Sequence, residues 1–316
     1  MSIHTVGSPA LWTGFFALIL VLLLLDLGVF GKRSSVMSMR SAFVYSLVWI
    51  GISLGFNLFV YQYLGPKAGL EFLAGYLIEK ALSVDNIFVF LVLFKYFAVP
   101  QSLQHRVLFF GIGGAILMRG AFILGGTALV ERFFWLTYIL GALLVYTAYK
   151  LFKEDPEEIN PDDNRAVKFA KKFFPATDDY RGKNFFVREN GVLLATPLLF
   201  VLVAVETTDL VFAIDSIPAI FAITTDPFIV LTSNIFAILG LRALYFLLAS
   251  LLSGLRFLRY GLSLVLLFIG LKMLGHSIYD VSTSFSLIVI ISLLSASILA
   301  SLMFPLKKEE SLNTQS

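Results

Sequence analysis

Glu206-Thr-Thr-Asp209-Leu-Val-Phe-Ala-Ile-Asp215-Ser216-Ile-Pro218 sets three carboxylates inside an apolar run that extends over residues 192–222. A run of that length is what a helix needs to cross the hydrocarbon core of a bilayer. A second such run, 70–97, carries Glu79-Lys80-Ala-Leu-Ser83-Val-Asp85-Asn86. A carboxylate at the centre of a spanning helix costs about 2.5–3.5 kcal/mol, so five cost on the order of 12–18 kcal/mol and need partners.

The rest of the chain fits a membrane setting. Of its 316 residues, 58% are hydrophobic and 14% charged, with a mean hydropathy of +0.88, far from the averages of a soluble domain. Apolar runs at 9–30, 41–64, 70–97, 104–126, 133–152, 192–222, 228–253, 257–275 and 284–304 predict an all-α membrane protein with nine transmembrane helices. The first run follows no Lys or Arg, exceeds a signal-peptide core in length and lacks a small-residue cleavage site after it, so it reads as a retained helix. Residues 153–190 are rich in charge and proline and read as a solvated loop, with a short amphipathic helix expected near 164–174. With the N-terminus outside, the cytoplasmic segments hold 18 Lys and Arg against three (Lys67, Arg132, Lys272) outside, which predicts an N-out, C-in arrangement. That polarity suggests a bacterial inner membrane, with the bilayer itself as the surrounding partner.

Two segments repeat each other. Ser83-Val-Asp85-Asn-Ile-Phe88 lies over Thr207-Thr-Asp209-Leu-Val-Phe212 at an offset of 124. Ala115-Ile-Leu-Met-Arg119 matches Ala237-Ile-Leu-Gly-Leu-Arg242, and Tyr138-x-Leu140 with Lys150 matches Tyr260-x-Leu262 with Lys272, at offsets of 122 to 123. A unit of three helices is odd, so the second copy enters the membrane from the opposite side, an inverted repeat of the kind that places a transport site at the midplane. The expected organisation is two N-terminal helices (1–64), a first three-helix repeat (70–152), a cytoplasmic loop (153–190), a second inverted repeat (192–275) and a final helix (284–304).

The candidate cation ligands are Glu79, Asp85, Asn86, Glu206, Asp209, Asp215 and Ser216, with Arg119 and Arg242 as counter-ions. Glu206 and Asp209 lie about 60° apart on the helical wheel, and Asp215 about 180° from Glu206. Pro218 opens the possibility of a kink or unwound turn that brings Asp215 round and frees carbonyl oxygens. Five acids against two guanidiniums leave net negative charge, met by protonation or by a cation. The oxygen-only donors suit Mg, Ca or Mn alike and argue against Zn or Cu. With no cysteine, thiol redox chemistry, disulfides and cysteine-ligated clusters are excluded. No phosphate-binding loop, dinucleotide fingerprint or catalytic triad is present, so neither an enzyme nor a permanently bound cofactor is expected. Asp26 reads either as interfacial or as an extension of the site. Asn57 and Gln62 read as interhelical hydrogen-bonders. The basic loop reads as topological rather than as a nucleic-acid patch, and it is also where a protein partner would dock.

Glu79-Lys-Ala-Leu-Ser-Val-Asp-Asn-Ile-Phe-Val-Phe, Ala195-Thr-Pro-Leu and the long block from Phe212 through Arg242 to Tyr245-Phe-Leu-Leu resemble the TerC family, closest to its Alx branch, over nearly the whole chain. The resemblance implies a fold similar to the LysE transporters and export of manganese from the cytoplasm, with Glu79, Asp85, Glu206, Asp209 and Asp215 as the acidic positions. The leading expectation is therefore a secondary transporter exporting Mn²⁺, with the metal as substrate. Two other readings stand beside it: a membrane stress-resistance component (tellurium resistance or redox modulation) that moves no metal, and a proton-coupled exporter of an organic substrate.

Overall fold

In the computed structural model, the described residues are 5–31, 39–133, 135–153, 175–177, 179–189, 191–249, 257–275 and 281–304. The helix expected near 164–174 lies outside them. In chain order the elements are α1 (Pro9–Gly31), α2 (Met39–Tyr63), α3 (Pro66–Tyr96), α4 (Gln101–Arg132), α5 (Leu136–Lys153), β1 (Phe186–Glu189), β2 (Val192–Ala195), α6 (Pro197–Phe221), α7 (Pro227–Leu239), α8 (Leu241–Ala249), α9 (Leu258–Leu274) and α10 (Thr283–Met303). Among the described residues, α1, α2, α4, α6 and α10 are long and apolar enough to span a bilayer, and α7 with α8 makes a sixth if that bent pair is one span. The chain is thus a multi-pass membrane protein. Length and composition alone support fewer crossings than the expected nine.

Two boundaries differ from expectation. Residues 192–195 are strand rather than helix. They pair antiparallel with β1, Phe186 opposite Ala195 and Glu189 opposite Val192, and Gly191 turns the hairpin at φ 82°, a conformation glycine adopts without strain. Thr196 is extended, and Pro197 opens α6 at its first turn, where the missing N–H costs nothing. Among the described residues the protein is therefore helical with one small hairpin. The other difference concerns Pro218, where a kink or an unwound turn was expected and no unwinding is found. Here α6 is helical on both sides of Pro218 and ends only at Phe221. The break falls instead in the 228–253 run, where α7 stops before Gly240 and α8 continues at a 41° bend.

Burial sorts the helices. Every residue of α7 from Pro227 to Leu239 is buried, the polar Thr232, Ser233 and Asn234 included. Its N-terminus is capped by Asp226, whose carboxylate accepts from the Phe228 and Ile229 N–H groups at 2.9 and 3.1 Å and also from the Val6 N–H at 2.6 Å. By contrast α1, α2 and α10 leave rows of large apolar side chains exposed, such as Leu20, Leu24, Phe43, Leu47, Ile288 and Leu299. In a bilayer those faces meet lipid and need no protein cover. Phe15, Phe56, Phe72, Phe228 and Phe236 form an aromatic knot between α1, α2, α3 and α7. Among the described residues, the Oδ1 of Asn57 in α2 is buried with no hydrogen-bond partner.

At the centre, α3 packs against α6 and α7, and α4 packs against the same two helices. The closest seam joins α5 to α9. There a Cβ on Gly270 would stand 2.9 Å from the Gly141 carbonyl oxygen, so small residues let the two backbones meet. At one end of the bundle, the start of α3 (Lys67, Glu71), the ends of α4 and α6 (Val130, Phe221), the start of α5 (Thr137) and the end of α9 (Lys272) surround a cavity of about 390 Å³. Elsewhere the Tyr180 hydroxyl donates to the Phe97 carbonyl at 2.7 Å, and that of Tyr245 to Gln104 Oε1 at 3.0 Å.

Candidate functional site

Four helices converge on one guanidinium. Arg119, from the middle of α4, is wholly buried. Its Nε and Nη2 donate to the two carboxylate oxygens of Asp209 on α6, at 2.9 and 2.8 Å, the parallel two-bond geometry that favours arginine over lysine. Nη1 donates to Glu79 Oε1 on α3 in a short contact and lies 3.4 Å from both Ser216 Oγ and Asn234 Oδ1. Asn234, on α7, in turn donates from Nδ2 to Glu79 Oε2 at 2.9 Å, while Ser83 Oγ donates to Glu79 Oε1 at 3.4 Å. Both oxygens of each carboxylate are therefore engaged.

Helical spacing explains the convergence. Glu79 and Ser83 are four residues apart on α3, and Asp209 and Ser216 seven apart on α6, so each pair shares a face. Two carboxylates against one guanidinium leave a net charge of −1, in an interior where an unpaired charge is costly. Glu206 stands three residues before Asp209. A Cβ on Gly114 of α4 would run into its carboxylate oxygens, so only glycine leaves room for that group. Among the described residues, Glu206 Oε2 is buried without a hydrogen-bond partner.

Of the other expected site residues, Asn86 is buried. The side chains of Asp85 and Asp215 lie outside the described residues, although α3 and α6 run through both positions. Among the described residues no three His, Cys, Asp or Glu side chains form a group able to hold a metal ion. Arg242 pairs with Asp26 of α1, Nη2 to Oδ1 at 2.5 Å, and stacks 6.0 Å from the Phe109 ring. Asp26 is buried with it, which favours a role inside the bundle over an interfacial one. Arg242 and Asp209 also line a cavity of about 20 Å³ between α3, α4, α6 and α8, room for about one water.

Lys80 points away from the guanidinium. Its Nζ donates to the Ala237 carbonyl at 3.1 Å, placing a cation at the C-terminus of α7, where the helix dipole and an orphan carbonyl both favour it. A Cβ on Gly240 would come within 2.7 Å of that nitrogen. Asn234 was not singled out from sequence. Its one signal is that Thr232-Ser233-Asn234 interrupts an apolar block.

Residues 64–309 match the family described as "Integral membrane protein TerC family". Among individual proteins, the chain is 49% identical over 298 residues to "Uncharacterized membrane protein STKORF319" of Myxococcus xanthus, covering 94% of this chain and 93% of that one. It is 48% identical over 307 residues to "Putative membrane-bound redox modulator Alx" of Photorhabdus laumondii, covering 94% and 95%. The protein of that name in Escherichia coli K12 is 47% identical over 300 residues, covering 92% and 94%. No solved structure matches.

Proposed function

The chain belongs to the TerC family of integral membrane proteins, and on that premise we propose that it is a secondary transporter that exports a divalent cation, manganese, from the cytoplasm. The observation that carries this reading is the meeting of Glu79 and Asp209 on one buried guanidinium. They come from helices separated by more than 100 residues of chain, and nothing about folding a helical bundle requires acids there. Glu79, Asp209 and Ser216 supply hard oxygen donors, with Asp85, Asn86 and Asp215 on the same two helices, and Glu206 adds a further carboxyl group beside Asp209. Such donors suit Mn²⁺, Ca²⁺ and Mg²⁺. The TerC resemblance selects manganese.

An inverted-repeat architecture of nine crossings, LysE-like, with the N-terminus outside and the C-terminus in the cytoplasm of a bacterial inner membrane, is part of the proposal. The contact pattern supports it. Exchanging α3, α4 and α5 for α6, α7 and α9 turns the α3–α7 contact into the α6–α4 contact and leaves α5–α9 unchanged. The cavity that gathers the start of α3, the end of α4, the start of α5 and the ends of α6 and α9 is also what alternating crossings produce.

The deciding experiment loads proteoliposomes with a dye sensitive to Mn²⁺ and compares the full-length protein with D209N. We expect saturable Mn²⁺ flux, larger than for Ca²⁺ or Mg²⁺, and its loss in D209N with insertion intact. Absence of flux from the unaltered protein overturns the reading. A second reading follows the name printed for two of the relatives, a redox modulator acting without transport. With no cysteine in the chain, such a role would run through a partner at the 153–190 loop, and deleting that loop would remove function while acid substitutions were tolerated.

A further inference from the structure

We propose that Arg119 acts as a built-in surrogate for the transported cation: its guanidinium and the divalent ion are alternative occupants of the Glu79–Asp209 pocket, and each transport cycle exchanges one for the other. The inference rests on the cation-transport reading above.

Arg119 takes both Asp209 oxygens and one Glu79 oxygen, and Asn234 takes the other. A metal bonding these carboxylates at about 2–2.6 Å would sit where the guanidinium now is. A dipositive ion and a fixed guanidinium cannot share two carboxylates in a low dielectric, because like charges repel more strongly there than in water. Charge balance points the same way. Glu79 and Asp209 against Arg119 carry −1, whereas against a dipositive ion they are neutral. Empty of metal, the pocket therefore holds its own cation and avoids two unpaired carboxylates.

The displaced guanidinium has a place to go. Glu206 lies one turn from Asp209 on α6 and packs on Gly114 of α4, with Oε2 buried and, among the described residues, unpartnered. Gly114 and Arg119 are five residues apart on the same helix, about 7.5 Å along its axis and about 140° around it, so the guanidinium reaches Glu206 along α6, where Glu206 and Asp209 sit on neighbouring faces. Side chains on a helix lean towards its N-terminus, so Arg119 already leans towards the level of Gly114. The step is a change of partner from Asp209 and Glu79 to Glu206, a Glu206 carboxyl that carries a proton releasing it to water as the ion pair forms, with no other bond made or broken. In this scheme Arg119 positions and releases the cation without binding it.

The test measures equilibrium Mn²⁺ binding to the purified full-length protein alongside flux. Removing a competing occupant raises apparent affinity, so R119Q should bind Mn²⁺ about tenfold more tightly or better, while its flux falls at least as far because the ion is no longer expelled. Guanidinium added to the medium should restore part of the flux. A purely structural arginine predicts that affinity and flux fall together with no rescue, and that result overturns the inference, as does unchanged affinity. Should R119Q fail to insert, R119K decides the matter: it keeps the charge but loses the fork, so tighter binding supports the exchange and unchanged or weaker binding overturns it. If the unaltered protein shows no saturable Mn²⁺ binding, the transport reading fails first. Binding by the unaltered protein without tightening in either variant sinks the exchange alone.

Discussion

Arg119 and Arg242 occupy matching places in the two repeated sequence segments, yet the bundle uses them differently. Arg119 lies in the middle of the unbroken α4 and is held by acids from α3 and α6. Arg242 stands just past the bend at Gly240 and is held by Asp26, from a helix outside both segments. The bend separates their fates, since α4 runs straight through the position at which its counterpart stops and restarts. The two segments thus carry matching arginines, and local backbone geometry chooses their partners. One arginine sits within the acidic pocket, and the other fastens α1 to the core.

The sharpest way to break that contrast is D209N. It removes the bidentate partner of a buried guanidinium, a loss of about 3–5 kcal/mol, and should abolish Mn²⁺ flux. Thermal unfolding in detergent and the dye assay read both effects. If D26N were equally damaging to flux, the two arginines would not differ in role. We expect D26N also to lower stability by about 3–5 kcal/mol, the cost of breaking a buried ion pair, but with flux reduced and still measurable. N234L should leave Glu79 Oε2 without its donor at a smaller cost of about 1–3 kcal/mol. It should also alter the Mn²⁺ concentration for half-maximal flux, which D26N should not. G240A probes the bend, because its Cβ would crowd the Lys80 ammonium and stand 3.2 Å from Trp49 Cβ. Allowing the lysine to shift, we expect about 1 kcal/mol, the scale of one hydrogen bond. The smallest effect on flux is expected for D226A, where losing the N-cap of α7 costs about 0.5–2 kcal/mol of stability. It should expose residues near Val6 to proteolysis with flux nearly unchanged.

Much of this was legible before any coordinates. The helices follow the apolar runs closely, because hydropathy and length are properties of a single segment. That Glu79 and Asp209 needed a cationic partner, and that Arg119 was a candidate, followed from the cost of burying charge. The hairpin was not legible, because Val192-Leu-Leu-Ala is a short apolar run that suits strand or helix alike. Nor was the site of the backbone break. Pro218 was the stronger breaker on local grounds, but it lies in the last turn of α6, where little helix remains to be disrupted. Gly240 broke its helix where Lys80 reaches in from α3 to take a carbonyl.

Composition and periodicity decided that this chain lives in a membrane, how its apolar segments are spaced and that its buried acids must be answered by cations, since each of those follows from local transfer energies. Which nitrogen meets which oxygen was decided by packing alone. Arg119 reaches acids 40 and 90 residues away, and Asn234 reaches one 155 away. Contacts so distant along the chain depend on how α3, α4, α6 and α7 cross, and no local pattern records that.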